Sequence, residues 1–173
     1  GSEAMGAWMA ANGFDVGSLR RSLEREMLAQ GQVQSIVEQM PAEFEHVHLR
    51  HILVASEAEA AELLAEIEAG ADFAGLAAER SLDLSTRPGG GDLGWVPRGV
   101  LLQPVVEEAA FALEPGSPPT IVISDLGYHL LQVMDRGMRA LSPNDARRLR
   151  LQAVYDWLDM ARSTAEVVVH VDE

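Results

Sequence analysis

The run from Arg87 to Gly99, Arg-Pro-Gly-Gly-Gly-Asp-Leu-Gly-Trp-Val-Pro-Arg-Gly, carries five glycines and two prolines in thirteen residues. No helix can pass through it, because each proline removes a backbone donor and each glycine adds chain entropy that a helix must freeze out. It predicts a shaped loop with at most a brief strand. Any fold this chain adopts is therefore assembled from short elements on either side of that loop.

Upstream, Leu19, Leu23, Met27, Ile36, Val37 and Met40 recur at helical spacing, which predicts one long amphipathic helix from Asp15 to about Met40. Asp15 or Ser18 supplies its cap. Gly13 separates it from a shorter helical segment holding Trp8 and Met9, and Pro41 closes it. From His46 to Val54 the period changes to two. Val47, Leu49, His51 and Leu53 then share one face, and His48, Arg50, Ile52 and Val54 the other, as in a strand. Ser56 with Glu59 makes a capping-box pattern ahead of Ala60, Leu63, Leu64 and Ile67, so a helix follows. Gly70 ends it, and Asp72 starts a short second helix with Phe73 and Leu76.

Downstream of the glycine run, Pro104 to Leu113 predicts a short helix ended by Glu114-Pro115-Gly116. Thr120–Ile123 and Gly127–Val133 predict strands joined at Ser124-Asp125. Ser142-Pro143-Asn144-Asp145 is a strong helix start feeding Leu151, Val154, Tyr155 and Leu158. Val167–Val171, VVVHV, then reads as a final strand. The order β-α-α-(β)-α-β-β in the middle predicts an α+β domain: a small antiparallel or mixed sheet surrounded by helices, with further helices at both ends. We expect three parts: an N-terminal helical segment at 1–45, the central domain at 46–138, and a terminal helix and strand at 139–173 that pack with the first segment.

At 173 residues and 47% hydrophobic the chain can bury one good core. Its 27 acidic against 13 basic residues leave a formal charge of −14, which excludes nucleic acid as the expected partner, since phosphate binding needs clustered Lys and Arg. The acid excess reads as a solvated, self-repelling surface. With no cysteine there is no disulfide, thiolate metal site or cysteine nucleophile. Residues 1–13 lack the basic start and apolar run of a secretion signal. Because a helical pattern begins almost at the first residue, we expect further natural chain upstream.

Two histidines fall in strand-like segments and point by alternation to the apolar side: His51 beside Leu49 and Leu53, and His129 beside Leu131 and Val133. A buried imidazole needs a partner for each ring nitrogen, and two facing histidines can satisfy one another. A structural pair stitching two strands and a proton-transfer pair are both open on this pattern.

Arg50-His-Ile-Leu-Val, Ser81-Leu-Asp83, Gly90-Gly-Asp-Leu-Gly-Trp95, Ala109-Ala-Phe-Ala-Leu113 and Gly127-Tyr-His129 stand in a fixed order from about His46 to Arg136. In that order and spacing they resemble the parvulin-type peptidyl-prolyl cis-trans isomerases. The nearest subgroup resembles the extracytoplasmic foldases of bacteria, in which such a domain is flanked by helices of a chaperone lobe. The resemblance implies isomerisation of X-Pro bonds in unfolded or secreted client polypeptides outside the cytoplasm, with no cofactor and no metal. It makes His51 and His129 the paired core histidines and Asp83 the polar residue facing substrate. Leu93, Leu101 or Leu102, and Val106 would line a proline pocket, and Ser124 would border it. Asp83 has a second reading, as a turn residue bonding its own backbone in Ser81-Leu-Asp-Leu-Ser-Thr86.

The sequence departs from that family at two places. Val106 stands where an aromatic residue is usual, and Val100-Leu-Leu-Gln-Pro104 is a residue longer than usual. Both bear on the pocket and leave a non-enzymatic chaperone, binding clients on a parvulin scaffold, as the rival function. The segment after His51, Val-Ala-Ser-Glu-Ala-Glu59, has no Lys or Arg, so no preference for phosphorylated Ser-Pro or Thr-Pro is expected. The long N-terminal helix offers a surface for pairing with a second copy.

Other signals point to packing. His46 and His48 face one side of their strand and His51 the other, which argues against a metal cluster. The glycine run lacks the Gly-Lys-Ser/Thr ending of a phosphate loop, so it shapes backbone. Trp8, Trp95, Trp157, Met5, Met9, Met27 and Met40 are expected first as core or interface residues.

Overall fold

Local capping chemistry accounts for where the helices begin. In the computed structural model, which describes residues 2–13 and 15–164, Asp15 accepts from the backbone of Gly17 and Ser18 while the Ser18 hydroxyl receives the Asp15 N–H. This reciprocal box starts α2 (Val16–Glu38), which follows α1 (Ser2–Ala11). Ser56 and Asp72 cap α3 (Glu57–Glu68) and α4 (Phe73–Arg80) by accepting the backbone N–H of Glu59 and Gly75. The Ser56 box is one-sided, however: Glu59 turns its carboxylate to Arg80, 3.4 Å away, tying α3 to α4. Pro104 opens α5 (Pro104–Ala112) and Pro143 opens α6 (Pro143–Thr164), with Ser142 Oγ accepting from the Asp145 N–H.

Four strands form one antiparallel sheet in the order β2-β1-β4-β3. They are β1 (Phe44–Val54), β2 (Asp92–Pro97), β3 (Thr120–Ser124) and β4 (Gly127–Arg139). The brief strand expected inside the glycine run is β2, on the sheet edge. Strand β4 runs six residues past its expected end at Val133, because Asp135–Arg139 pair with Phe44–His48. Two bulges interrupt the ladders: Met134 is the extra residue opposite His48/Leu49, and Leu93 the extra residue opposite Leu49/Arg50.

Both faces of the sheet are covered, so β1 is buried on both sides rather than alternating between core and water. On one face Val47, Leu49, Leu131 and Val133 pack with Val106, Ala110 and Phe111 of α5. On the other, Ile52, Val54 and Leu130 pack with Ala60 and Leu63 of α3 and Phe73 and Ala77 of α4. The expected α+β class, an antiparallel sheet flanked by helices with further helices at each end, is the observed one.

The chain divides into two units: Pro41–Leu149, and the chain up to Met40 together with the chain from Arg150. On α1 and α2, Trp8, Leu23, Met27 and Leu28 are exposed, so of the two expected roles, core or interface, Trp8 and Met27 do not fill the core one. The strand expected at Val167–Val171 lies outside the described residues. Among the described residues, no helix is long and apolar enough to cross a membrane.

Candidate active site

His51 and His129 project from the α5 face of the central strand pair, one step off direct opposition, since Leu53 is the residue paired with His129. Their Nδ1 atoms are 3.4 Å apart and their rings lie nearly parallel, 5.7 Å between centroids. Both are buried. The remaining nitrogen of each ring also has a partner: His51 Nε2 lies 2.8 Å from Asp83 Oδ2 and 3.2 Å from Thr86 Oγ1, and His129 Nε2 lies 2.7 Å from Ser124 Oγ.

The two readings of Asp83 are divided between its oxygens. Oδ1 accepts from the Ser85 backbone and hydroxyl, holding the turn, while Oδ2 accepts from Thr86 Oγ1 and faces His51. Burial acts to raise the Asp83 pKa, but the bonds from Ser85, Thr86 and His51 outweigh it and hold the carboxyl well below its usual range. The His129 pKa is lowered too, which for a cation disfavours the charge: burial first, then the neighbouring His51, lower it from 6.5 to about 4, against a smaller raising effect of Asp83. At neutral pH Asp83 is thus an anion and His129 a neutral ring.

The Asp83 charge fixes the direction of the bond at its end of the file. The Asp83 carboxylate can only accept, so His51 Nε2 carries hydrogen and donates to it. In the tautomer with hydrogen on His51 Nε2 alone, Nδ1 is bare and accepts from the Nδ1–H of His129. The bare Nε2 of His129 accepts from the Ser124 hydroxyl, which itself accepts the Leu126 N–H. The result is a single file of donors running from Leu126 to Asp83.

The scaffold holds this file tightly at Asp83. Buried Ser81 accepts the N–H of both Leu53 and Asp83, and Leu82 N–H bonds Leu53 O, so the Asp83 turn is fastened to β1 two residues from His51. The glycine run closes on the other side. His51 N–H donates to Gly91 O at 2.9 Å, and a Cβ on Gly91 would lie 2.1 Å from His51 O. The glycine run therefore shapes backbone against the histidine strand.

A cavity of about 420 Å³ opens beside the file. His51, His129, Asp83 and Ser85 supply its polar wall; Leu53, Leu82, Leu93, Leu126 and Val106 supply apolar walls, with Val100–Gln103 on the remaining side. Leu93 reaches it through the β2 bulge: in regular alternation it would fall with Trp95 and His48 on the opposite face. Leu101 and Leu102 both line the cavity, but Leu101 packs on the core while Leu102 is 80% exposed at the rim. Ser124 is not among the lining residues; it touches His129 instead.

Sequence reasoning missed Thr86, Ser85, Val100, Gln103, Leu53, Leu82 and Leu126. Only Ser85 and Thr86 carried a readable signal, as hydroxyls two and three residues after an Asp that could bond it locally. Elsewhere on β1, His46 Nδ1 donates to Phe44 O, and His48 Nε2 lies 3.0 Å from Asp92 Oδ1. Among the described residues no group of acids and histidines is arranged to hold a metal ion.

A family model described as a PPIC-type PPIase domain matches residues 35–137, more than half of the chain. The chain belongs to this family of peptidyl-prolyl isomerase domains. A foldase protein PrsA from Caldanaerobacter subterraneus subsp. tengcongensis is 45% identical over 89 residues, covering 51% of this chain and 29% of its relative. A chaperone SurA from Nitrosospira multiformis is 35% identical over 147 residues, covering 75% of this chain and 33% of the relative. The PPIC-type domain is thus set in a chain that spans about a third of the length of these curated relatives. Among solved structures, the peptidylprolyl isomerase PrsA of Bacillus cereus superposes with a TM-score of 0.62 at 25% identity, covering 96% of this chain and 70% of that one. The parvulin-type resemblance drawn from the five sequence motifs is borne out.

Proposed function

We propose that this chain catalyses cis-trans isomerisation of X-Pro bonds in unfolded client polypeptides, without covalent chemistry, metal or cofactor. The observation that carries the reading is one apolar cavity, of about 420 Å³, whose polar wall is the Asp83–His51–His129 file. Sites of roughly 300–1,000 Å³ suit small ligands, so a proline ring and part of a neighbouring residue fit.

The task is a rotation over a barrier of roughly 18–20 kcal/mol. A planar amide places partial negative charge on its oxygen, and twisting the C–N bond returns that charge to nitrogen. Beside an anion such as Asp83, on a low-dielectric wall, the planar state is disfavoured more than the twisted one, which lowers the barrier. The apolar walls hold the proline ring while the rest of the chain turns. In this reading His51, Asp83 and His129 are the catalytic residues, Leu93, Leu101, Leu102 and Val106 bind the ring, and Ser124 orients His129.

Two features support unphosphorylated, apolar client segments. Among the described residues no Lys or Arg lines the cavity, and Arg87, in the adjoining turn, spends its guanidinium on Ala78 O and Glu79 O. Leu82, Leu126 and Leu102 are 55%, 59% and 80% exposed at the mouth. The sequence resemblance to extracytoplasmic foldases supports clients outside the cytoplasm, which fractionation of cells expressing the natural gene product tests.

The decisive experiment is a protease-coupled or NMR-exchange assay on short unphosphorylated X-Pro peptides. Wild type accelerates exchange and Asp83→Ala lowers the rate roughly tenfold or more. A wild type that binds the peptides without accelerating exchange overturns the enzyme reading in favour of a client-binding chaperone, the role that the small Val106 side chain favours.

A further inference from the structure

The wall of the cavity formed by Val100–Gln103 has neither helix nor strand geometry. It follows β2 through Gly99, whose φ of +90° places it in the left-handed region. Its backbone is anchored before and after: Arg98 N–H bonds Glu45 O, and Gln103 O accepts the first bonds of α5. Between those anchors, among the described residues, the N–H groups of Gly99 and Leu101 donate to one side chain. Glu107 Oε1 accepts from Gly99 and Oε2 from Leu101, each at 3.0 Å.

Both oxygens of a half-buried carboxylate are thus spent on a five-residue loop, through charge-assisted bonds of the stronger kind. Glu107 sits on α5 immediately after Val106, the residue that α5 contributes to the cavity. One side chain therefore spans from the helix that supplies one wall to the loop that supplies another. Its neighbour Glu108 is exposed, and the amides that Glu107 accepts from lie in the loop outside the helix, so helix N-terminal charge alone does not account for the arrangement.

We propose that Glu107 is the positioning residue of the proline pocket: by clamping the Gly99 and Leu101 amides it holds Leu101 and Leu102 at a fixed distance from Val106 and so sets substrate affinity. The proposal rests on the isomerase reading for its kinetic form but not for its binding form. A loop populating its competent geometry only part of the time weakens apparent binding by that fraction and leaves the Asp83–His51–His129 file untouched.

The test compares wild type, Glu107→Ala, Glu107→Gln and Glu108→Ala in two measurements: KM and kcat for an X-Pro peptide, and Kd for the same peptide by NMR titration, with hydrogen exchange of the Gly99 and Leu101 amides followed alongside. Glu107→Ala raises KM and Kd about tenfold with kcat within about twofold, in the manner of a competent fraction near one tenth. Glu107→Gln keeps one acceptor oxygen and falls between, and Glu108→Ala matches wild type. Exchange at Gly99 and Leu101 accelerates in the same order. If Glu107→Ala leaves KM and Kd unchanged, or lowers kcat in step with the folded fraction at constant KM, the positioning role is overturned. An inert wild type sinks the isomerase reading alone, since Kd and amide exchange still decide the role of Glu107.

Discussion

The Nδ1 atoms of His51 and His129 lie 3.4 Å apart, and only one of them can carry the hydrogen between them. For a His51 that carries one hydrogen the choice is made 32 residues away in sequence, at Asp83, because an anion on His51 Nε2 forces that nitrogen to donate. Replacing Asp83 with Asn puts one amide nitrogen where a carboxylate oxygen stood. The Ser85 backbone N–H cannot reverse its polarity, whereas an imidazole can by changing tautomer, so the Asn oxygen stays with Ser85 and its NH2 faces His51. His51 then accepts at Nε2, donates from Nδ1, and drives His129 to its Nε2–H tautomer. Asp83→Asn therefore exchanges the protonated nitrogen in both rings, read directly from their ¹⁵N shifts at neutral pH. Unchanged tautomers place the Asn amide the other way round and break the rule that Asp83 sets the file.

Acid should undo the same file from its other end. His129 has a folded pKa of about 4 against 6.5 when exposed, so between those values the unfolded chain binds the proton and the folded one does not. Stability is then full above about pH 6.5 and declines as pH falls toward 4, at up to about 1.4 kcal/mol per pH unit and roughly 3 kcal/mol in all. Asp83, with its pKa depressed, adds its own loss only below the ordinary carboxylate range near 3.8. Urea denaturation at pH 7 and pH 4.5 measures the first loss; a His129→Leu variant should be less stable at pH 7 yet lose less between the two values. An equal slope in that variant would assign the acid loss to other groups.

Much of this was legible in the sequence because it is local. Asp15, Ser56, Asp72 and Ser142 announce their helices through bonds spanning two or three residues. The two-residue period of β1 puts His51 on the face of Leu49 whatever the rest of the chain does. What was not legible depends on distant chain. The extension of β4 beyond Val133 exists because Phe44–His48 offer it a ladder, while its own residues Asp135, Arg136 and Gly137 look like a loop. The bulge that turns Leu93 toward the cavity is a property of a pair of strands. The reach of Glu107 to Gly99 and Leu101 depends on where α5 packs, so a helix-start glutamate carried no signal of it.

Gly91 and Gly94 separate the two costs of a left-handed backbone. Both have positive φ, +80° and +69°, but a Cβ at Gly94 meets nothing within 4 Å while one at Gly91 strikes His51 O at 2.1 Å. Gly94→Ala should cost about 1–2 kcal/mol, the conformational penalty alone. Gly91→Ala must also move the glycine run off β1, breaking the His51 N–H bond to Gly91 O, and should cost more than about 4 kcal/mol. Thermal or urea unfolding of the two variants measures the difference. Equal losses would mean that the run can shift away from β1 freely, and that the glycine is there for its φ alone.

Val106 is 5% exposed, shared between the core around Phe111 and the cavity. A phenylalanine here has two ways to go. If its ring extends into the cavity, it adds apolar contact for a bound proline worth about 1 kcal/mol, roughly a fivefold gain in affinity, at little cost in stability. If the ring is forced back toward Ala110 and Leu131, overpacking costs about 1–3 kcal/mol and the cavity gains nothing. The open space lies on the cavity side, so Val106→Phe should bind X-Pro peptides more tightly while unfolding within about 1 kcal/mol of wild type. Peptide titration beside urea denaturation reads both quantities on the same variant. Tighter binding with raised kcat would identify the valine as the feature that limits turnover; destabilisation without a gain in affinity would identify it as a core residue that the cavity merely touches.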